Sequence, residues 1–236
     1  NIYDFELNAS VAGNPSLKRT KITNTDLRYE LYPGAGELFT VGVFYKNFEN
    51  PIESIFNEGS GGASLFSFQN VSKATAFGFE VEGRKKLTTR FTLQANGSYI
   101  NSKTKDAALN VDRPLQGQSP YLINTGLLYD VVEKGFNMTV LFNQVGKRIY
   151  LVGDLQAGAA TPDVFENPRA LVDFQISKKF AENKAEIRFT ISDILNQRQI
   201  FYQNNNSNSD YSAGSDAIRF SRKFGTTFGV TLNYSL

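Results

Sequence analysis

Glu80 and Glu82 stand two residues apart in AFGFEVEGRKK (76–86). In an extended chain, that spacing puts both carboxylates on one side, about 7 Å apart. Such pairs drive glycoside hydrolysis. The same i, i+2 spacing recurs in Glu186 with Arg188 and in Asp26, Arg28 and Glu30. There a cation accompanies the acid, the pattern of ion-paired charges on one strand face. The chain has no His and no Cys. That removes the commonest general base, the Ser-His-Asp triad, a disulfide framework and thiolate metal sites. Serine is plentiful but lacks an obvious base. DYSAGSD (210–216) lacks the ligand spacing of a calcium loop. The Gly-rich NEGSGGAS (57–64) and QNNNSNSDYSAGSD (203–216) lack the Gly-Lys-Ser/Thr of a phosphate loop. Any enzyme chemistry would have to run on carboxylates, Lys or Tyr; the carboxylates, Glu80 and Glu82 included, are read as lumen charges paired with Arg or Lys on neighbouring strands, and no catalytic residue, cofactor or metal is assigned.

The elements that must position these charges are strands. Period-2 alternation recurs through the 236 residues and helical periodicity is nearly absent. Ten strands are predicted, at 2–9, 22–32, 37–49, 73–86, 89–103, 119–132, 135–150, 169–180, 184–199 and 217–236. One face of each is apolar: Leu27, Tyr29 and Leu31; Phe77, Phe79 and Val81; Val172, Phe174 and Ile176; Phe228, Val230 and Leu232. The other face is polar, as in Gln94, Asn96 and Ser98. The connectors alternate in length. Short ones fall at 33–36, 87–88, 133–134 and 181–183; long ones fall at 50–72, 104–118, 151–168 and 200–216. Antiparallel strands therefore gather all short turns at one end and all long loops at the other.

Segregated turns are the pattern of a transmembrane β-barrel. Most predicted strands also exceed the roughly 9–11 residues a tilted strand needs to cross a bilayer. The fold class is all-β, a transmembrane antiparallel barrel with lipid on its apolar face and a polar lumen. No stretch reaches the roughly 20 apolar residues of a membrane helix. The net charge is +2, with no Lys/Arg stripe beyond Arg84-Lys85-Lys86, so nucleic acid is not expected as a partner. Tyr32, Phe48, Tyr99, Tyr121, Tyr150 and Tyr202, near strand ends, are expected to form an interfacial aromatic girdle. Substrate contacts are expected from the long loops and upper lumen, with Asn57, Glu58, Asp106, Arg113, Asp154, Asp163, Tyr202 and Asp210 as candidates by position. The chain opens inside a β-like pattern, without Met or a signal peptide, and is expected to be a piece of something longer.

AGNPSL (12–17), followed by TDLRYELYPGAGELFTVGVFYKN (25–47), resembles TonB-dependent outer-membrane receptors. Gly13, Asn14, Pro15 and Leu17 match a loop motif of that family, and Asp26 and Leu27 match the opening of the following strand. The Pro-Glu that usually follows the loop motif is replaced by KRT (18–20). ATAFGFEVEGRKKL (74–87), RPLQGQSPYLINTGLLYD (113–130) and DILNQRQIFYQ (193–203) resemble other barrel segments of the family. The end, FGTTFGVTLNYSL, resembles its last strand, closing on the apolar Leu236. The style is most similar to receptors of the Bacteroidetes group. The resemblance implies that residues 1–236 form one domain, the C-terminal portion of a barrel of about 22 strands. It also implies an N-terminal plug domain and TonB box outside this chain. The implied location is the cell outer membrane, integral, with the long loops extracellular. The implied function is active import of a nutrient with TonB-supplied energy. Implied partners are outer-membrane lipid, the plug, TonB and the barrel-assembly machinery; pairing with a surface lipoprotein is left open. Two alternatives stand beside it: a small closed outer-membrane barrel (porin, adhesin or barrel enzyme) and a soluble β-rich binding module.

Overall fold

The computed structural model describes residues 2–4, 9–58, 64–106, 111–153, 161–205 and 210–234. Its strands are, in chain order, β1 (Ile2–Asp4), β2 (Ala9–Val11), β3 (Lys21–Leu31), β4 (Leu38–Glu49), β5 (Ile52–Glu58) and β6 (Ser64–Asn70). There follow β7 (Lys73–Lys86), β8 (Phe91–Asp106), β9 (Val111–Arg113), β10 (Tyr121–Val131), β11 (Phe136–Val145) and β12 (Arg148–Gly153). The last are β13 (Val164–Glu166), β14 (Arg169–Phe180), β15 (Ala185–Ser192), β16 (Gln199–Gln203), β17 (Ala217–Arg222) and β18 (Thr227–Tyr234).

Two sheets result. The wall runs β18-β15-β14-β11-β10-β8-β7-β4-β3, with β9 added to the end of β8. Every pair on this path is antiparallel, and its registers align the apolar face into continuous rows. Leu93, Leu127, Val140, Phe174, Ile191 and Phe228 form one row across six strands. Leu27, Val43, Phe79, Tyr99 and Tyr121 form another. The wall has ten strands in all, the number that alternation predicts, but not the same ten. Segment 2–9 is not in the wall: β1 and β2 pair with each other and join the second sheet.

The tight connections all lie at one end, where Leu31 faces Phe39, Lys86 faces Thr92, Val131 faces Phe136 and Phe180 faces Ala185. Tyr234 lies opposite Ala185 at the same end. The turn before β11 is a single 3₁₀ turn, Val132–Lys134, closed by Gly135 at φ 56°. A left-handed residue there favours glycine. The long connections, read from sequence as loops, instead contain strands. They assemble into the second sheet, β1-β2-β6-β5-β12-β13-β16-β17. The Gly and Ser of 57–64 obscured the alternation on either side of them. The predicted strands 135–150 and 217–236 are likewise each split between the two sheets.

The hydrophobic core belongs to this second sheet. Phe56, Phe66, Leu151, Val164 and Phe201 cluster there, with Tyr150 and Phe220 packed on them. Phe201 and Phe220 stack at 4.2 Å, and Tyr150 lies 4.6 Å from Phe201. Tyr150 and Tyr202 are therefore not girdle residues; both are packed within the second sheet, Tyr202 completely buried. Phe48 also leaves the girdle, since it shares the polar wall face with Lys46 and lines a hollow there. Tyr99 and Tyr121 remain at the loop end of the outer face, and Tyr32 at the turn end.

Candidate functional site

The loop-motif residues have a structural task. Asn14 donates from Nδ2 to the Phe68 carbonyl at 2.8 Å and accepts from the Ser16 amide at 2.8 Å. The Ala12 amide bonds the Phe66 carbonyl, and Asn70 holds both backbone groups of Lys18. Residues 12–18 are thereby laced along β6, which guides the chain from the second sheet into β3. Asp26 and Leu27 then fall on opposite faces of β3, with Leu27 outward and widely exposed. Leu236 lies outside the described residues.

Of the predicted loop contacts, the structure brings together Arg113 and Asp163, through a residue the alternation did not single out. Glu53 is 1% exposed and takes a bidentate pair from the Arg113 guanidinium, at 2.9 and 2.6 Å. Asp163 lies 3.9 Å from the same guanidinium and accepts the Gly153 amide at 2.9 Å. Burial raises the Asp163 carboxyl above its ordinary pKa, an effect that the Gly153 amide and Arg113 oppose. Gln116 works beside this cluster. Its amide accepts from the Ser54 nitrogen and donates to the Ser54 and Tyr150 carbonyls. It stitches β5 to β12 where their parallel pairing covers only two residue pairs. Asp106 accepts the Ser72 amide at the root of β7. Asn57 and Glu58 end β5; Asp154 lies outside the described residues.

Tyr202 stands in a column of rings, between Phe165 at 6.0 Å and Tyr211 at 5.2 Å. Its hydroxyl has no partner among the described residues. Burial, with Asp216 and Asp210 nearby, pushes its pKa up to about 12. Asp216 receives the Asn205 and Ser212 amides. Among the described residues, no group of three or more acidic side chains is placed to hold a metal ion.

The polar face of the wall carries the other half of the site. Asn143, Asn124 and Asn96 face one another across β11, β10 and β8 and form a one-way amide chain, with Asn124 donating to Asn96 at 2.7 Å. In the same row follow Glu82, Thr40 and Glu30. Arg28 pairs with Glu30 at 2.8 Å and approaches Glu82 at 3.7 Å. Glu82 thus lies beside a guanidinium, as a paired charge of the strand face.

Three hollows line up on this side. The uppermost, about 200 Å³, lies where β8 and β10 meet β12 and β13, and is walled by Tyr99, Pro114, Pro120, Lys147, Ile149 and Phe165 among others. The next, about 370 Å³, shares Ile100 and Gln118 with it and is flanked by Asp26, Phe44, Lys46 and Phe48. The third, about 220 Å³, shares Arg28, Gly42 and Glu80 with the second and reaches Glu82 and Asn96. They form a track from the second sheet to the middle of the wall.

Comparison with known proteins accords with this geometry. Residues 4–234 match the outer membrane protein beta-barrel family. No curated protein matches the sequence. Among solved structures, a variant of the ferric enterobactin receptor PfeA of Pseudomonas aeruginosa superimposes with a TM-score of 0.64 at 18% identity, over 96% of this chain and 32% of that one. The copper transporter OprC gives 0.68 at 16% identity, over 94% and 33%. The ferric yersiniabactin uptake receptor FyuA of Yersinia pestis gives 0.62 at 17% identity, over 91% and 30%. At these identities the likeness is one of fold. The chain spans about a third of the length of each. The receptor-barrel resemblance read from the motifs holds at that level.

Proposed function

The chain belongs to the outer membrane protein beta-barrel family, and on that premise we propose that it is the C-terminal part of the barrel of a TonB-dependent receptor that imports a nutrient. The location is integral to the outer membrane, with the apolar rows facing lipid. The single observation that carries the proposal is the pair of open edges. Among the described residues β3 and β18 each pair on one side only. A bilayer leaves no unpaired backbone group tolerated, so such a sheet has to close. Both edge strands run toward the tight-turn end, so antiparallel closure takes an odd number of additional strands. The share of PfeA, OprC and FyuA that this chain covers fits a larger barrel, and these are respectively a ferric enterobactin receptor, a copper transporter and a ferric yersiniabactin uptake receptor. A small self-contained porin, adhesin or barrel enzyme leaves those edges unexplained. A plug and TonB box upstream, the barrel-assembly machinery and a surface lipoprotein are partners of this reading.

The test is the intact mass and N-terminal sequence of the native protein from detergent-solubilised outer membrane. A mass two or more times that of these 236 residues, with a plug-like region first, is the expected result. A mass matching this chain alone, beginning near Asn1, overturns the proposal.

A further inference from the structure

Two lysines on the track share an arrangement. Lys147 Nζ stands 5.3 Å from the Phe165 ring centroid in the first hollow. Lys46 Nζ stands 5.3 Å from the Phe44 centroid in the second. Neither makes an ion pair or hydrogen bond among the described residues. A cation over a ring in a partly dry hollow is held in place by the ring's quadrupole, yet keeps its donors for another group.

Both rings are fixed from behind. Phe165 rests on Tyr202, which is completely buried. Phe44 lies opposite Gly78, and a Cβ at that glycine would come within 2.5 Å of the Phe44 ring. Glycine there is what lets the ring lie flat against the wall. The first hollow is mainly apolar, with Ile149, Pro114 and Pro120 beside the ring. Lys147 is partly withdrawn from water, and burial lowers its pKa; the charges of Asp210 and Asp216 oppose that shift. A mainly apolar hollow with a lysine poised over a ring at its wall, its donors unused among the described residues, suits an anion with an apolar body.

We propose that the two linked hollows bind a small amphipathic organic anion, or the acidic arm of a larger one. Its apolar body lies on Phe165 and then Phe44, and its acidic group is held by Lys147 and then Lys46. The inference rests on the import reading and deepens it, by assigning the chemical class of the cargo and two successive stations. The upper hollow is small against ligand sites of roughly 300–1,000 Å³, which sets the size of the group that enters it.

The test uses the full-length receptor purified in neutral detergent, titrated calorimetrically with 2-naphthoate and with uncharged 2-naphthalenemethanol. The expected result is that Lys147→Gln weakens naphthoate binding about tenfold, the loss of one charge-assisted hydrogen bond. Lys147→Arg retains most of it, and the neutral compound binds both proteins equally. Lys46→Gln weakens it less, and Lys85→Gln, at a lysine paired with Glu37 at the far end of the wall, has no effect. Equal thermal midpoints for the variants show that folding is intact. The proposal is overturned if wild type does not bind naphthoate, or if Lys147→Gln binds it as wild type does. Neither result touches the import reading, which is tested by mass and N-terminal sequence.

Discussion

The wall and the second sheet are made of the same material and finished oppositely. Both are strands of alternating aromatic and aliphatic residues. In the wall those residues stay uncovered: Leu27 is 74% exposed and Val230 is 71% exposed. In the second sheet they disappear: Phe56 is 2% exposed and Phe201 is 1% exposed. The solvent accounts for the difference. Hydrocarbon receives the outer rows of the wall, so the wall needs backbone pairing and alternation but no core of its own. The second sheet stands in water and has to bury its aromatics against each other, like any soluble domain.

The contrast can be broken most sharply at Arg113. Replacing it with Met leaves the Glu53 carboxylate buried without its partner, at a cost of about 3–5 kcal/mol. Hydrogen exchange in the receptor should show β5, β12 and β13 opening while β10 and β11 stay protected. Equal loss in the wall would mean that the two sheets are one cooperative unit. Phe201→Ala should cost a similar or slightly smaller amount, about 3–5 kcal/mol, again confined to the second sheet. In the wall, Val140→Arg places a charge on the outer face near the middle of the strand. It should cost about 2–4 kcal/mol, read by urea-dependent folding into lipid vesicles, with second-sheet exchange unchanged.

Smaller effects sharpen the picture of the second sheet. The Asp163 carboxyl has a folded-state pKa raised above its unfolded value. Stability is therefore fully present below the unfolded pKa and is lost as pH rises through the raised one. Asp163→Asn keeps an acceptor for Gly153 and removes the titration. The expected outcome is a flatter pH profile of second-sheet exchange, with greater protection than wild type at neutral pH. Tyr202→Phe deletes a buried hydroxyl that lacks a partner among the described residues and should be neutral or stabilising by about 1 kcal/mol, seen as an unchanged or raised thermal midpoint.

Much of the wall was legible because one pattern repeats. The strand at 73–86 was placed as the structure has it, as was 169–180, since no glycine-rich run interrupts the alternation. Lys46 with Phe44 was also readable, because i, i+2 residues share a strand face. Lys147 with Phe165 was not: eighteen residues and a strand reversal separate them, and only the pairing of β12 with β13 brings them together. Glu53 read as a polar position in a loop, and nothing local shows that Arg113 returns to it sixty residues later.

By itself, the sequence determined the all-β class, the alternation that gives each wall strand a lipid face and a lumen face, and the gathering of tight turns at one end. These follow from local rules of period and turn length, which each segment obeys alone. Only the tertiary structure decided that the long connections pair into a sheet with its own core. Only it decided which lysines stand without an ion pair among the described residues, and that the three hollows adjoin, sharing lining residues. Those outcomes depend on registers between strands far apart in the chain, and a register is fixed by the partner strand, not by either sequence in isolation.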